Sequence, residues 1–251
     1  SDLVSDSGES DKQGAGFGVQ MSDSPESDTQ GRDSKGYSRR PGEERQHLQA
    51  AGSQYGWMAD SRPETMIRDA KESALHLGVD TLDLLYSHGP DPAVPYEDQC
   101  GALKQLLDEG VIKYAGISRV NNEQIDLARS IIGNGLIAVQ NQFSPSRPDP
   151  EHTMEHCVEL GLAFVCWSPL GGFLDAFDQR AYDPFRTVAG NHGCSYQRVV
   201  LAWELSRYER LFTIPSARNP QEINDSFAAT ELTLTQDELA MLNASVDACR
   251  G

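Results

Sequence analysis

The rhythm of apolar and polar positions changes near residue 60. From there to the C-terminus, short apolar runs alternate with longer stretches in which apolar residues recur every three or four positions. The runs are LLYSH (84–88), YAGIS (114–118), AVQNQF (138–143), AFVCWSPL (163–170) and FTIPSA (212–217). A short continuous apolar run reads as a strand buried on both faces, and a stretch of helical period as an amphipathic helix. Their alternation predicts a parallel α/β sheet, whose chemistry collects where strands end in polar residues.

Punctuation supports the same segmentation. Ser61, Pro63 and Glu64 predict a capped helix start, and Gly78 its end. Tyr96 to Glu109 predicts a helix with Leu103, Leu106 and Leu107 on one face. Asn121 or Asn122 caps the helix of Ile125, Ala128 and Ile132. Asp149-Pro150 opens a helix that stops at Leu160-Gly161. Residues 171–195 interrupt the rhythm as a loop with short helices. Tyr196 to Ser206 is apolar enough for a buried helix. Asn219-Pro220 starts the next, and Thr235 with Glu238 caps a last outer helix over Leu232 to Ala244.

Residues 1–56 have none of this rhythm. They are rich in Ser, Asp, Gly and Gln, and residues 1–36 bury too little apolar surface to offset chain entropy. The chain therefore divides into a polar, divergent N-terminal segment, 1–56, and an α/β portion, 57–251.

Charge and cysteine usage narrow the functional classes. The 251 residues carry a formal net charge of −17, which argues against nucleic acid or an anionic membrane as partner. Five cysteines, Cys100, Cys157, Cys166, Cys194 and Cys249, are scattered without a CxxC pair. That pattern predicts reduced thiols in a cytoplasmic protein and no metal site. No run approaches a membrane span, and the first residues lack the apolar core of a signal peptide.

The order GVDTLDLLYSHGPDP, ALKQLLDEGVIKYAGIS, AVQNQFS, CVELGLAFVCWSPLGG, VVLAWELS and IPSARNPQEIND resembles the aldo-keto reductase family. The resemblance covers roughly residues 57–251. It implies a (β/α)8 TIM-barrel-type fold and hydride transfer between NADP(H) and a small carbonyl or alcohol carbon. It makes His88 the catalytic histidine that hydrogen-bonds the substrate carbonyl. Ser118 and Gln140 would hold the nicotinamide carboxamide, and Trp167 would stack on the ring. Ser168, Leu170 and Gly171 would lie near the pyrophosphate. Ser216 and Arg218 would take the 2′-phosphate, ahead of a helix N-terminus, and Gln221 and Asp225 would lie near the adenosine. Arg119 falls among these cofactor positions where the family usually has Asn, a departure that also fits a charged substrate. Ser226 replaces a commoner Asn.

The family reaction also uses a tyrosine proton donor, a lysine and an aspartate, from strands before residue 60. Those strands are not recognisable, so five βα units and an irregular head make an incomplete barrel. Asp33 and Tyr37 in DSKGYS are similar to the family's aspartate–tyrosine pair, but one residue closer together. The expectation is a reductase with reduced or lost activity. The alternatives are a non-catalytic relative acting as a nucleotide-binding or interaction module, or a truncated or frameshifted fragment. Open sheet edges predict self-association into a homo-oligomer.

Overall fold

The computed structural model describes residues 60–149, 152–171 and 179–248. Asp33 and Tyr37 lie outside the described residues, as does Cys249. Five parallel strands pair in sequence order: β1 (Leu82–Ser87), β2 (Ile112–Ser118), β3 (Leu136–Gln142), β4 (Ala163–Trp167) and β5 (Leu211–Ile214). Eight α-helices accompany them: α1 (Pro63–Leu77), α2 (Tyr96–Asp108), α3 (Asn122–Ile132), α4 (Thr153–Leu160), α5 (Asp183–His192), α6 (Tyr196–Leu205), α7 (Pro220–Phe227) and α8 (Gln236–Ala248). Among the described residues the sheet does not close, because β1 and β5 each pair on one side only. Among the described residues the arrangement is the expected five-strand parallel α/β sheet.

Local chemistry explains the element ends, with some corrections. Ser61 does not cap α1. The cap position is Arg62, without a side-chain bond, while Ser61 is buried and its N–H donates to Asp91 Oδ2 at 3.1 Å. Asp60 does the local work instead, accepting from the Arg62 N–H and from the Thr65 hydroxyl. Asn121, rather than Asn122, caps α3 in a reciprocal box with Gln124. Asp149 does not begin a helix, but its carboxylate accepts from the Met154 N–H at 2.8 Å and so caps α4 from four residues upstream of Thr153. β5 stops at Ile214, earlier than FTIPSA suggests, since Pro215 has no N–H for the ladder. Helix α8 starts at Gln236, where Thr235 and Glu238 cap each other's backbone N–H as expected.

The two faces of the sheet differ. Leu85, Ile117, Val139, Phe164 and Leu211 point outward into the main core, packed against the helices. Trp203 of α6 is its largest buried side chain, stacked on Phe143 at 5.5 Å and edge-on to Phe185 at 5.4 Å. The inner face carries a second, smaller cluster of Tyr86, Ala138 and Val165, bordered by Leu84 and Ile214. Gly116 is required there: a Cβ at this position would stand 2.3 Å from the Tyr86 ring.

Candidate active site

Strand register brings the polar strand ends together. Ser118 pairs with Gln140, and Gln140 with Val165, while Gln142 pairs with Trp167. Paired residues share a face, so Ser118, Gln140 and Trp167 all look into the mouth at the C-terminal ends of the strands. His88 follows β1 at the same end. The Ser118 hydroxyl donates to the Gln140 carbonyl at 2.8 Å, tying β2 to β3 at the level of the site.

Two strained residues frame the mouth. Arg119 and Ser168, the first residues after β2 and β4, have φ of 57° and 51°. Non-glycine residues in the left-handed region are uncommon and concentrate at functional turns. The Arg119 N–H donates to the Gln140 carbonyl at 3.1 Å. Asn141 holds the next residue from both sides, accepting from the Val120 N–H at 3.1 Å and donating to its carbonyl at 2.7 Å. After β4, the Gly171 N–H closes a turn on the Ser168 carbonyl at 2.9 Å, and Leu170 packs against the main core.

Among the described residues, the charge at the mouth sits on Arg119. The Arg119 guanidinium lies over the Trp167 ring, 5.2 Å from its centroid. His88 has its pKa lowered, first by burial and then by the Arg119 charge, so its imidazole is neutral at neutral pH and can donate one hydrogen bond. Three buried polar atoms at this end have no hydrogen-bond partner among the described residues: Gln140 Nε2, Trp167 Nε1 and Ser168 Oγ. Buried donors without partners are uncommon in folded proteins and point to a ligand with acceptors.

The region after β5 is arranged otherwise. Ser216 and Gln221 are exposed. Arg218 is 88% exposed, yet its guanidinium is paired with Glu222, with Nη2 donating to Oε1 at 2.9 Å. The Arg218 N–H donates to the other Glu222 oxygen at 2.7 Å, and Asn219 Oδ1 caps the Glu222 N–H at 2.9 Å. The expected open anion site at the start of α7 thus holds its own carboxylate. Asp225 turns toward α6, where it accepts from Arg198 Nε at 3.0 Å and from the Ser195 hydroxyl that caps that helix. Glu222, Arg198 and Asn141 carry no motif of their own. Only the position of Glu222 three residues after the Asn219 cap signalled a role at the helix start.

Comparison with known proteins gives the arrangement its place. A model of the Aldo/keto reductase family matches residues 35–247. The chain belongs to this family. The match begins upstream of the change in rhythm and takes in Tyr37, though not Asp33. Aldo-keto reductase str7 of Strobilurus tenacellus is 26% identical over 71% of this chain and 62% of its own length. Among solved structures, the thermostable aldo-keto reductase Tm1743, in complex with the inhibitor epalrestat, superposes with a TM-score of 0.67 at 25% identity. It covers 73% of this chain, which covers 67% of it. The Bombyx mori aldo-keto reductase in complex with NADP gives a TM-score of 0.63 at 22% identity, with coverages of 75% and 65%. The chain spans about three fifths of the length of the curated relatives it matches, 62% and 60% for two of them. This aldo/keto reductase family chain therefore shares the barrel fold of its neighbours over a part of their length.

Proposed function

We propose that this chain is an NADP(H)-dependent oxidoreductase that interconverts a small carbonyl compound and its alcohol. The observation that carries the reading is the set of unpartnered buried atoms at the mouth. Gln140 Nε2 and Ser168 Oγ can bond a bound group, and Trp167 presents an aromatic wall. A nicotinamide carboxamide has the acceptor such donors lack, and its ring suits stacking. The nicotinamide side of the cofactor fits the residues present once the Arg119 guanidinium leaves the Trp167 face. The 2′-phosphate side fits only if Arg218 leaves or shares Glu222. When bound, the cofactor supplies or accepts the hydride.

The chain's own residues then have these roles. Ser118, Gln140 and Trp167 orient the nicotinamide, and the Ser168–Gly171 turn, with Leu170 at its base, faces the pyrophosphate. Ser216, Arg218 and Gln221 lie toward the 2′-phosphate. Asp225 acts on the adenosine end indirectly, by fixing α7 against α6 through Arg198. His88, neutral, donates to the substrate oxygen and orients it. The proton donor by family position lies before residue 60, with Tyr37 the candidate inside the matched stretch and Asp33 its neighbour. Carbonyl reduction is slow or absent unless that segment supplies the donor, since loss of a general acid costs about 10²–10⁴-fold.

Equilibrium NADPH binding, followed by quenching of Trp167 fluorescence, tests the reading. Gln140→Leu should weaken NADPH at least about tenfold, the value of one charge-free buried hydrogen bond lost with its partner. A correctly folded protein that binds no NADPH overturns it. An aldehyde panel with NADPH, run beside Tyr37→Phe, decides whether the head supplies the acid.

A second reading, an interaction module, is favoured by the inner face of the sheet. Tyr114 and Phe212 there are 43% and 55% exposed, beside edges on β1 and β5 that are unpaired among the described residues. Edge pairing with a second copy would cover them, and sedimentation showing only monomer would count against it. No helix among the described residues is long and apolar enough to cross a membrane. Free thiols at Cys100, Cys157, Cys166 and Cys194 support a cytoplasmic site of action.

A further inference from the structure

Arg119 is the feature of the mouth that hydride transfer to a neutral carbonyl leaves unexplained. Its backbone is held in a strained left-handed conformation, φ 57°, by the bond from its N–H to the Gln140 carbonyl. The side chain runs past Gly89, where a Cβ would sit 3.4 Å from Arg119 Cδ, and ends over the Trp167 ring. It therefore spans from the loop after β1 to the end of β4, close enough to His88 for its charge to act on the imidazole.

The guanidinium has no carboxylate and no hydrogen-bond acceptor among the described residues. Other cations here do. Lys71, Lys104 and Lys113 are ion-paired with Glu109, Asp108 and Asp83, and Arg198 and Arg218 with Asp225 and Glu222. Arg129 and Arg207 also lack a carboxylate among the described residues, but each donates to oxygens, Arg129 to the Gly133 and Leu136 carbonyls and Arg207 to Asn243 Oδ1, whereas the Arg119 guanidinium has only the Trp167 ring. Among the described residues, the groups around it, Ser118, Gln140, Trp167 and a neutral His88, bring no negative charge to the mouth. A contact to an aromatic face is a weak and replaceable partner for a guanidinium, whose planar fork of donors matches a carboxylate bidentately.

We propose that Arg119 is the substrate-recognising cation of this site, and that the substrate is a small carbonyl compound bearing a carboxylate. The inference rests on the reading of the mouth as a carbonyl-reducing site, and moves Arg119 from the cofactor's side to the substrate's. The acidic surface repels anions at a distance, so discrimination comes from contact with Arg119 rather than from steering.

The test compares phenylglyoxylate with its methyl ester, two α-keto compounds that differ in the charge, by calorimetric titration of the protein saturated with NADP+. The wild-type chain should bind the carboxylate at least about tenfold more tightly than the ester, in keeping with a charge-assisted bidentate pair. Arg119→Gln should abolish that preference by weakening the acid to the level of the ester, and should lower NADPH affinity less than it lowers that of the carboxylate. Arg119→Lys should keep part of the preference, because the charge remains and the fork is lost. Equal binding of acid and ester by the wild type overturns the proposal. So does a preference that survives Arg119→Gln, or an Arg119→Gln chain that loses NADPH as severely as the carboxylate. If the wild type binds no NADPH, the cofactor reading fails by itself, and the same acid–ester comparison on the cofactor-free protein still decides the role of Arg119. Unchanged thermal melting of the exposed Arg119→Gln variant excludes misfolding as the cause.

Discussion

The outer and inner faces of the same five strands behave as two different surfaces. Outward side chains such as Ile117, Val139 and Phe164 are at most 1% exposed, sealed by helices that the chain itself supplies. Inward side chains are buried only in a narrow cluster around Tyr86 and Val165, and Phe212, in the row of Ser118, Gln140 and Val165, is 55% exposed. The contrast teaches that a strand–helix repeat closes one side of a sheet by local succession alone. The other side of a barrel strand needs strands from across the barrel, which are distant in sequence. The inner face also carries the candidate site, so the surface left open among the described residues and that site are one surface.

Substitutions on the two faces should separate accordingly. The largest effect is expected at Trp203, which is 1% exposed, stacked on Phe143, and donates from Nε1 to Asn243 Oδ1 at 2.8 Å. Trp203→Ala should cost about 3–5 kcal/mol in chemical denaturation. A loss below about 1 kcal/mol would mean that the outer core is not the stabilising unit.

Next comes Glu204, fully buried beside Trp203 on α6, with neither carboxylate oxygen hydrogen-bonded. Burial pushes its pKa well above the usual carboxylate range. The folded state thus holds a proton that the unfolded chain releases above about pH 4.5. The stability it contributes is present below that pH and is lost as pH rises toward the folded value, by up to about 1.4 kcal/mol per pH unit. Glu204→Gln should flatten the fall in stability between about pH 5 and 8 and stabilise the protein at the upper end. An unchanged pH profile would show that the carboxylate finds water or a partner.

Caps should give a smaller loss. Asn121→Ala removes one half of the box that starts α3 and should lower stability by about 1 kcal/mol. The smallest effect is expected on the inner face, where Phe212→Ser should stay within about 0.5 kcal/mol, as at other exposed positions. If Phe212→Ser instead costs as much as a core truncation, the inner face is covered in solution, and its concentration dependence would tell a second copy from the chain's own head.

Much of the site was legible because polar residues at strand ends stand out against apolar runs. His88, Ser118 and Gln140 are the polar residues at strand ends, Trp167 came from the family resemblance, and register puts Ser118, Gln140 and Trp167 on one face. The region after β5 was less legible. IPSAR followed by Asn219-Pro220 reads as an open anion site, but Glu222 sits one helical turn from Arg218 and takes its guanidinium. A local carboxylate at that spacing competes with any external anion, and sequence pattern does not say which wins. Asp225 was equally opaque, since its partner Arg198 lies on another helix.

The sequence by itself determined the succession of strands and helices, most of the caps and the polar residues at strand ends. These depend on side-chain period and on interactions within four residues. Only the tertiary structure decided that Arg119 lies across Trp167, that Asn141 clamps the backbone of Val120, and that Glu204 is buried without a partner. Each joins or isolates groups tens of residues apart, and such distances are set by how strands register and helices pack, not by any local repeat.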